Sequence, residues 1–135
     1  MAAEIDEPLD AYASDQPEYA SAFRTFLTHT DQKTKAMGWL TDFVGRLRLR
    51  SLFVDAGAGE GSTTAVLGKF FERTVAIEPN SALRVELTRR YPEAEIVEAP
   101  IAEARIASPA DFVLCSHVFH HIPQTHWIDT LERLT

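Results

Sequence analysis

Three glycines at every second position follow an acidic residue in the stretch from Asp55 to Gly61, which reads Asp-Ala-Gly-Ala-Gly-Glu-Gly. Glycine lets the main chain turn sharply and leaves no Cβ between the backbone and a bound ligand. Residues 52–54 form the short apolar run of a buried parallel strand, and Ser62 opens a helical pattern whose free N–H groups face the turn. The carboxylate of Asp55 suits a ligand that carries a positive charge. The alternative is that the glycines only let the helix pack closely on the strand.

Two other kinds of glycine-rich site fit this stretch less well. A phosphate loop of the Gly-x-x-x-x-Gly-Lys-Ser/Thr type fails, because Phe70 follows the Gly-Lys pair and Thr63 stands where the first glycine belongs. A dinucleotide fingerprint requires Gly-x-Gly-x-x-Gly or Ala, and Ser62 occupies its third position. The acid that precedes the glycines would also repel a pyrophosphate.

A second acidic residue, Glu78, ends the next apolar run about twenty residues beyond the glycines. A carboxylate at that place can accept hydrogen bonds from both hydroxyls of a ribose. The position suits a nicotinamide cofactor as well as other nucleosides. It therefore indicates a nucleoside ligand without choosing between them.

The strand-forming runs of the chain alternate with helical patterns. This alternation predicts an α/β fold with a parallel sheet, right-handed crossovers and a ligand site at the carboxyl ends of the strands. The polar ends of all four predicted strands then lie at one edge of the sheet. The strands cover residues 52–54, 74–77, 95–98 and 111–116, and their polar ends are Asp55, Glu78, Glu98 and Ser116-His117.

Helices are predicted before, between and after these strands from the spacing of apolar residues. In the first crossover helix, Val66, Leu67 and Phe70 are expected to face the sheet. The predicted helices begin at Pro17, after Asp31 (ending at Gly45), at Ser62 (reaching about Phe71) and at Asn80 or Ser81 (reaching Arg90), and the last contains Trp127 to Leu134.

Length and composition indicate one domain of a globular protein. The chain has 135 residues, 45% of them hydrophobic, and a net charge of −7, which opposes binding to nucleic acid. It has neither an apolar run long enough for a membrane span nor a basic start typical of a signal peptide, and its single cysteine, Cys115, is interpreted as an inert core thiol. These features predict a cytoplasmic protein without a membrane partner. Residues 1–18 are acidic and predict an irregular arm ahead of a domain over 19–135.

The pattern Asp-x-Gly-x-Gly-x-Gly after an apolar strand resembles the first motif of the class I S-adenosylmethionine-dependent methyltransferases, and the order of features resembles the first half of such an enzyme over residues 19–135. The resemblance implies a Rossmann-like fold with N-terminal helices and only the first half of the parallel sheet, the C-terminal strands being absent. It implies S-adenosylmethionine as the cofactor. The residues that it assigns to cofactor binding are Asp55, Ala56, Gly57, Gly59, Gly61, Glu78, Pro79, Ile101, Ser116, His117 and Val118.

One position departs from the pattern of that family. Where many members place an aspartate against the adenine amine after the third strand, this chain reads Glu98-Ala99-Pro100-Ile101. Pro100 cannot supply that hydrogen bond. The backbone N–H of Ile101 is the expected contact to the adenine ring instead.

The acceptor is expected to be a small molecule. The stretch from Tyr19 to His29 resembles the N-terminal helix of the histamine N-methyltransferase family, whose aromatic residues line an amine pocket. Tyr19 and Phe23 would then contact the substrate, and Tyr12 in the acidic arm could fold over it. The amine-binding glutamate of that family falls at or near Gln32, which argues against histamine itself and leaves another small amine.

The histidines near the end of the chain allow two interpretations. His117 or His120 could remove a proton from the acceptor as a general base, or the histidines could only line the loop. A metal site is not expected, because Pro123 interrupts the segment and no cysteine accompanies it.

These features together predict methyl transfer from S-adenosylmethionine to a small-molecule amine or hydroxyl, by a truncated enzyme or its cofactor-binding half. One alternative is a non-catalytic binding module that a partner chain completes, and a weaker one is an NAD-dependent oxidoreductase domain. The fourth strand would be an open sheet edge, which a second copy of the chain or a missing C-terminal half is expected to cover.

Overall fold

The computed structural model describes residues 17–18, 20–21, 32–115 and 122–134. Residues 17–18 and 20–21 are helical, and turns of 3-10 helix follow at Gly68–Phe70 and Gln124–His126. The remaining elements of these described ranges are four helices and four strands. In chain order they are α1 (Gln32–Gly45), β1 (Leu52–Ala56), α2 (Ser62–Leu67), β2 (Arg73–Ile77), α3 (Ser81–Arg90), β3 (Glu95–Val97), β4 (Phe112–Cys115) and α4 (Trp127–Leu134).

The four strands form one parallel sheet in the order β3-β2-β1-β4. In this register Ala56 lies opposite Ile77 on one side and Cys115 on the other. Because the strands run in the same direction, their carboxyl ends share one edge of the sheet. The prediction of a Rossmann-like α/β fold that contains the first half of a parallel sheet is thereby confirmed.

Both faces of the sheet are covered. Leu52, Val54 and Ala56 alternate along β1 and enter a core shared with Leu134 of α4, whereas Phe53 points to the other face and packs with Val44 of α1. All five residues of β1 are buried, as expected of a central strand with an apolar layer on each side. The turn at the end of β1 is therefore held on a rigid base.

The first crossover helix differs from the expectation at one residue. Thr64 and Leu67, three positions apart, are its fully buried pair, and Val66 is 39% exposed. The expectation that Val66 faces the sheet was wrong, because it lies off the face that these two residues define. The helix also ends early, at Leu67, and tightens into a 3-10 turn before Phe71.

The strand β4 pairs with β1 only, among the residues that the structure describes. Across the same described ranges, no helix combines the length and the apolar character needed to cross a membrane.

Candidate functional site

The glycine turn after β1 adopts a conformation that glycine favours. Gly57, Gly59 and Gly61 have φ angles of 77°, 63° and 90°, in the left-handed region where a Cβ is strained. The turn rests on the end of β2, because the N–H groups of Gly57 and Ala58 both donate to the carbonyl oxygen of Ile77, at 2.8 and 3.0 Å. The main chain of the turn thus lies against the end of the neighbouring strand.

The carboxylate of Glu78 is buried directly beside this turn, with 3% of the residue exposed. Its Oε1 accepts a hydrogen bond from the N–H of Gly59 at 2.8 Å, and its Oε2 accepts one from the N–H of Asn80 at 2.9 Å. Two backbone donors from two different loops therefore fix the side chain. Each oxygen of an ionised carboxylate has a second lone pair, so both can still accept a hydrogen bond from a ligand.

Several groups act on the pKa of Glu78. Burial raises the pKa above its ordinary value, and this effect outweighs the others. The N–H groups of Asn80 and Gly59 and the positive charge of Arg84 lower it, and the negative charge of Asp55 raises it further. At a given pH, a larger fraction of this carboxyl is therefore protonated than of an exposed glutamate.

Asp55 is the second buried acid at this edge, with 2% of the residue exposed. Its Oδ2 accepts a hydrogen bond from the hydroxyl of Thr64 in α2 at 2.7 Å. The carboxylate thereby connects the end of β1 to the first turn of α2, the helix that follows the glycines. Asp55 and Glu78 lie at the carboxyl ends of adjacent strands, as the sequence predicts.

A third acid, Glu60, lies inside the glycine turn and is 4% exposed. Its carboxylate accepts a hydrogen bond from the hydroxyl of Ser62 and pairs with the guanidinium of Arg90 in α3 at 3.1 Å. The turn also packs on α3, since a Cβ added at Gly61 would lie 2.8 Å from Cδ1 of Leu87. The helix α3 therefore packs against the turn and stabilises it.

Three further predicted residues lie near the same edge. Ala56 is fully buried at the end of β1, and Pro79 is half-buried in the loop after β2, where its carbonyl oxygen accepts a hydrogen bond from Arg84 at 2.7 Å. Ile101 follows β3, and its side chain lies in the core with 7% exposed. Its contact to an adenine through the backbone N–H stays a prediction.

The other predicted site residues lie outside the described residues. They are Ser116, His117, Val118 and His120 after β4, and Tyr12, Tyr19 and Phe23 in the N-terminal part. Within the part of the chain that is described, no three His, Cys, Asp or Glu side chains form a group that could hold a metal ion.

Cys115 ends β4 opposite Ala56 and is half-buried. Burial, with a smaller contribution from the charge of Asp55, raises the pKa of its thiol to about 11. The thiol therefore stays protonated at neutral pH and is a poor nucleophile.

Sequence reasoning missed four residues of this site: Thr64, Arg84, Glu60 and Arg90. Apart from the contact of Glu60 with Ser62, the contacts described for them join residues that are 5 to 30 positions apart in the chain. Hydrophobic periodicity contains no signal for such side-chain partners. The Ser-Thr-Thr run after the glycines was the one local hint, because it places hydroxyl donors in the first turn of α2.

Several solved structures share this fold, and some of them are methyltransferases. An S-adenosylmethionine-dependent methyltransferase from Leishmania major has a TM-score of 0.72 and 18% identity over 93% of this chain and 59% of its own. DhpI, in its complex with SAM and HEP, has a TM-score of 0.71 and 16% identity over 93% of this chain and 61% of its own. An rRNA methylase from Streptococcus thermophilus has a TM-score of 0.55 and 19% identity over 70% of this chain and 61% of its own.

These similarities, all below 25% identity, concern the fold. This chain spans about 60% of the length of each of these three proteins. No curated protein sequence matches the chain significantly. A family model does match: the methyltransferase domain, over residues 54–134, which is more than half of the chain. The match and the SAM bound by DhpI agree with the prediction of S-adenosylmethionine as the cofactor. Built on an acidic glycine turn at the edge of a parallel sheet, the chain belongs to the methyltransferase domain family.

Proposed function

We propose that this domain binds S-adenosylmethionine at the carboxyl edge of its sheet and serves the transfer of the methyl group to a small molecule. One observation carries the proposal: the carboxylate of Glu78 accepts a hydrogen bond from Gly59 of the glycine turn at 2.8 Å. This contact supports a single site that contains both the glycine turn and the acid expected to bind a ribose. The bound cofactor would supply an electrophilic methyl group on a positively charged sulfur.

The residues of this edge fit such a cofactor. Both oxygens of Glu78 can accept a further hydrogen bond, as two ribose hydroxyls require. The positive φ angles of Gly57 and Gly59 suit a close approach of the main chain to a ligand. With Asp55 and Glu78 both buried here, the site favours a ligand with positive charge over a pyrophosphate. Ala56, Pro79, Ile101, Ser116, His117 and Val118 complete the proposed cofactor site.

A small amine or alcohol is the acceptor class that we propose. The net charge of −7 supports it, because a phosphate backbone would be repelled. The resemblance of the stretch from Tyr19 to His29 to the histamine N-methyltransferase family favours an amine, with Tyr12, Tyr19 and Phe23 near the substrate. His117 or His120 would remove the acceptor proton. The similarity to an rRNA methylase keeps RNA as the competing acceptor, and a cytoplasmic location stays a prediction.

A second function is considered because of the sheet edge at β4. The chain spans about 60% of each structure described above, and β4 has a strand on one side only among the described residues. We therefore keep a cofactor-binding module completed by a further polypeptide, a second copy included, as the alternative to an enzyme. An NAD-dependent oxidoreductase is the weaker alternative, because Ser62 breaks the dinucleotide fingerprint.

Isothermal titration calorimetry with S-adenosylhomocysteine and, separately, with NAD tests the proposal. Heat with S-adenosylhomocysteine and none with NAD is expected, and heat with NAD alone would overturn the assignment. Glu78→Ala serves as the binding-deficient control. Transfer of labelled methyl groups to a panel of small amines and alcohols then separates the two functions, since binding without transfer supports the module.

A further inference from the structure

The guanidinium of Arg84 lies over the loop that connects β2 to α3. Its Nη1 donates hydrogen bonds to the carbonyl oxygens of Glu78, at 3.0 Å, and Pro79, at 2.7 Å. The side chain is only 19% exposed, so these contacts are largely shielded from water. Arg84 thus fixes the main chain at the point where the strand becomes the binding loop.

The same guanidinium also connects two strand ends. Its Nη2 lies 3.8 Å from Oε2 of Glu98, which follows β3. At the opposite ends of the same two strands, Arg73 pairs with Glu95 at 3.1 Å, and both of those side chains are more than half exposed. One arginine–glutamate pair therefore lies near the carboxyl ends of β2 and β3, beside the proposed site, and another lies at the amino ends of the same strands, far from it.

We propose that Arg84 is a positioning residue of the nucleoside site. Arg84 holds the main chain of Glu78 and Pro79, and its positive charge acts on the Glu78 carboxylate. This inference rests on the proposed function, because it assigns Arg84 a role in binding a nucleoside. Arg84 acts through Glu78.

The electrostatic surroundings of Glu78 support this role. Among the described residues, the charged groups that act on it are Arg84 from α3 and Asp55 from β1, and the N–H groups of Gly59 and Asn80 donate to its oxygens. Burial raises the pKa of Glu78 and Asp55 adds to the rise, whereas Arg84 lowers it. Removal of the Arg84 charge should therefore raise the pKa of Glu78 further.

The first measurement needs no ligand. Carbon NMR of glutamate-labelled protein follows the titration of the Glu78 carboxyl, and Glu78→Gln identifies its signal. In Arg84→Met we expect Glu78 to titrate at a higher pH than in the wild type. The control Arg73→Met removes the remote arginine–glutamate pair and should leave the titration unchanged. Equal titration curves for the wild type and Arg84→Met would overturn the proposal.

The second measurement is the affinity for S-adenosylhomocysteine, by calorimetry. Near neutral pH, Arg84→Met is expected to bind about tenfold more weakly, the scale of a lost hydrogen bond to a charged group, and Arg73→Met as tightly as the wild type. On acidification, affinity should fall at a higher pH in Arg84→Met, an effect that a merely structural residue would not produce. If the wild-type chain binds no S-adenosylhomocysteine, the proposed function is overturned. The role of Arg84 is tested separately by the NMR titration, so failure of the function and failure of the inference are distinguishable.

Two further variants complete the test. Arg84→Lys retains the positive charge and should return the Glu78 titration toward that of the wild type. If Arg84→Met fails to fold, Arg84→Gln provides a second neutral side chain that can still donate a hydrogen bond to the two carbonyl oxygens. A Glu78 titration that is the same in Arg84→Gln and Arg84→Lys would contradict the role of the charge.

Discussion

Asp55 and Glu78 are almost completely buried, with 2% and 3% of each residue exposed. A carboxylate leaves water at a large cost unless donors in the protein replace the lost hydrogen bonds. Here the replacements include the hydroxyl of Thr64 for Asp55 and the N–H groups of Gly59 and Asn80 for Glu78. Two like charges at adjacent strand ends are nevertheless unfavourable for folding, which is typical of a site selected for binding.

Asp55→Asn tests the first acid with little change in shape. The amide oxygen can still accept the hydrogen bond from Thr64, but the negative charge is lost. We expect the affinity for S-adenosylhomocysteine to fall by about 1–3 kcal/mol in calorimetry. Asp111→Asn is the matched control, because Asp111 accepts hydrogen bonds from Ser51 and Leu52 at the opposite end of β1. Equal affinities for the wild type and Asp55→Asn would contradict a binding role for this charge.

The raised pKa of Glu78 predicts a pH dependence of stability. Between the pKa of an unfolded glutamate, near 4.5, and the higher pKa in the fold, the native state binds more protons than the unfolded state. The free energy of unfolding should therefore decrease as pH rises through this window. Urea denaturation at a series of pH values should show this decrease in the wild type and a smaller one in Glu78→Gln. If the free energy of unfolding decreased more steeply with pH in Glu78→Gln than in the wild type, hydrogen bonding would outweigh burial in its effect on the pKa of Glu78.

At the scale of elements, the glycine turn and α3 form one packed unit. Gly61 lies against Leu87, Glu60 pairs with Arg90, and Arg84 holds the loop that leads into the helix. The second half of α3 thus supports the turn, and Arg84, nearer its start, supports the loop after β2.

Gly61→Ala tests the packing of the turn on this helix. The φ angle of 90° strains any residue with a Cβ, and the added atom would lie 2.8 Å from Cδ1 and 3.0 Å from Cα of Leu87. We expect a loss of about 2–4 kcal/mol in the free energy of unfolding, measured with urea. Gly38→Ala in α1 is the control: a Cβ there meets nothing within 4 Å, and alanine favours the helix, so stability should be unchanged or higher.

Arg90→Met tests the ion pair at the end of α3. It would remove the guanidinium that pairs with the buried carboxylate of Glu60, which also accepts a hydrogen bond from the hydroxyl of Ser62. The free energy of unfolding should fall by about 1–3 kcal/mol, because a buried charge loses its partner. The neighbouring Arg89 is exposed, and Arg89→Met should change stability little. Equal losses in the two variants would argue against a specific role for the pair.

The sequence predicted these elements well where the signal is local. The apolar run before Asp55 predicts β1, and Asn80 begins α3 by accepting a hydrogen bond from the N–H of Leu83 at 3.1 Å. Val66 was misplaced because a helix of six residues offers too few apolar positions to define a face. The partner of Asp55, Thr64, could not be predicted, since the choice among neighbouring hydroxyls depends on how α2 meets the sheet.

At the scale of the molecule, the strand order β3-β2-β1-β4 brings the ends of β1 and β2 together at the centre of the sheet. Alternating strands and helices predict this parallel arrangement, and the rule for the carboxyl edge predicts where the acids meet. The acceptor pocket could not be deduced in the same way. Its expected residues, among them His117 and Phe23, follow from resemblance alone, because substrate contacts leave no periodic signal.

The overall charge leads to a prediction about the acceptor. With a net charge of −7, the chain should not bind a labelled single-stranded RNA in fluorescence anisotropy at low salt, where electrostatic attraction is strongest. The same sample should bind S-adenosylhomocysteine, which verifies that it is folded. A dissociation constant for RNA below about 10 µM, weakening as salt is added, would favour a nucleic-acid substrate.

The hydrogen bonds from the N–H groups of Gly59 and Asn80 to the two oxygens of Glu78 have a consequence for the thermodynamics of ligand binding. Main-chain amides already restrict the rotation of this side chain, so a nucleoside that reaches it finds an acceptor whose torsions have little freedom left to lose. The entropic penalty of ordering the carboxylate thus falls on the folding of the chain and not on association. Preorganisation of this kind makes the glycine turn, through its single amide contact, a determinant of affinity even where it touches no ligand atom.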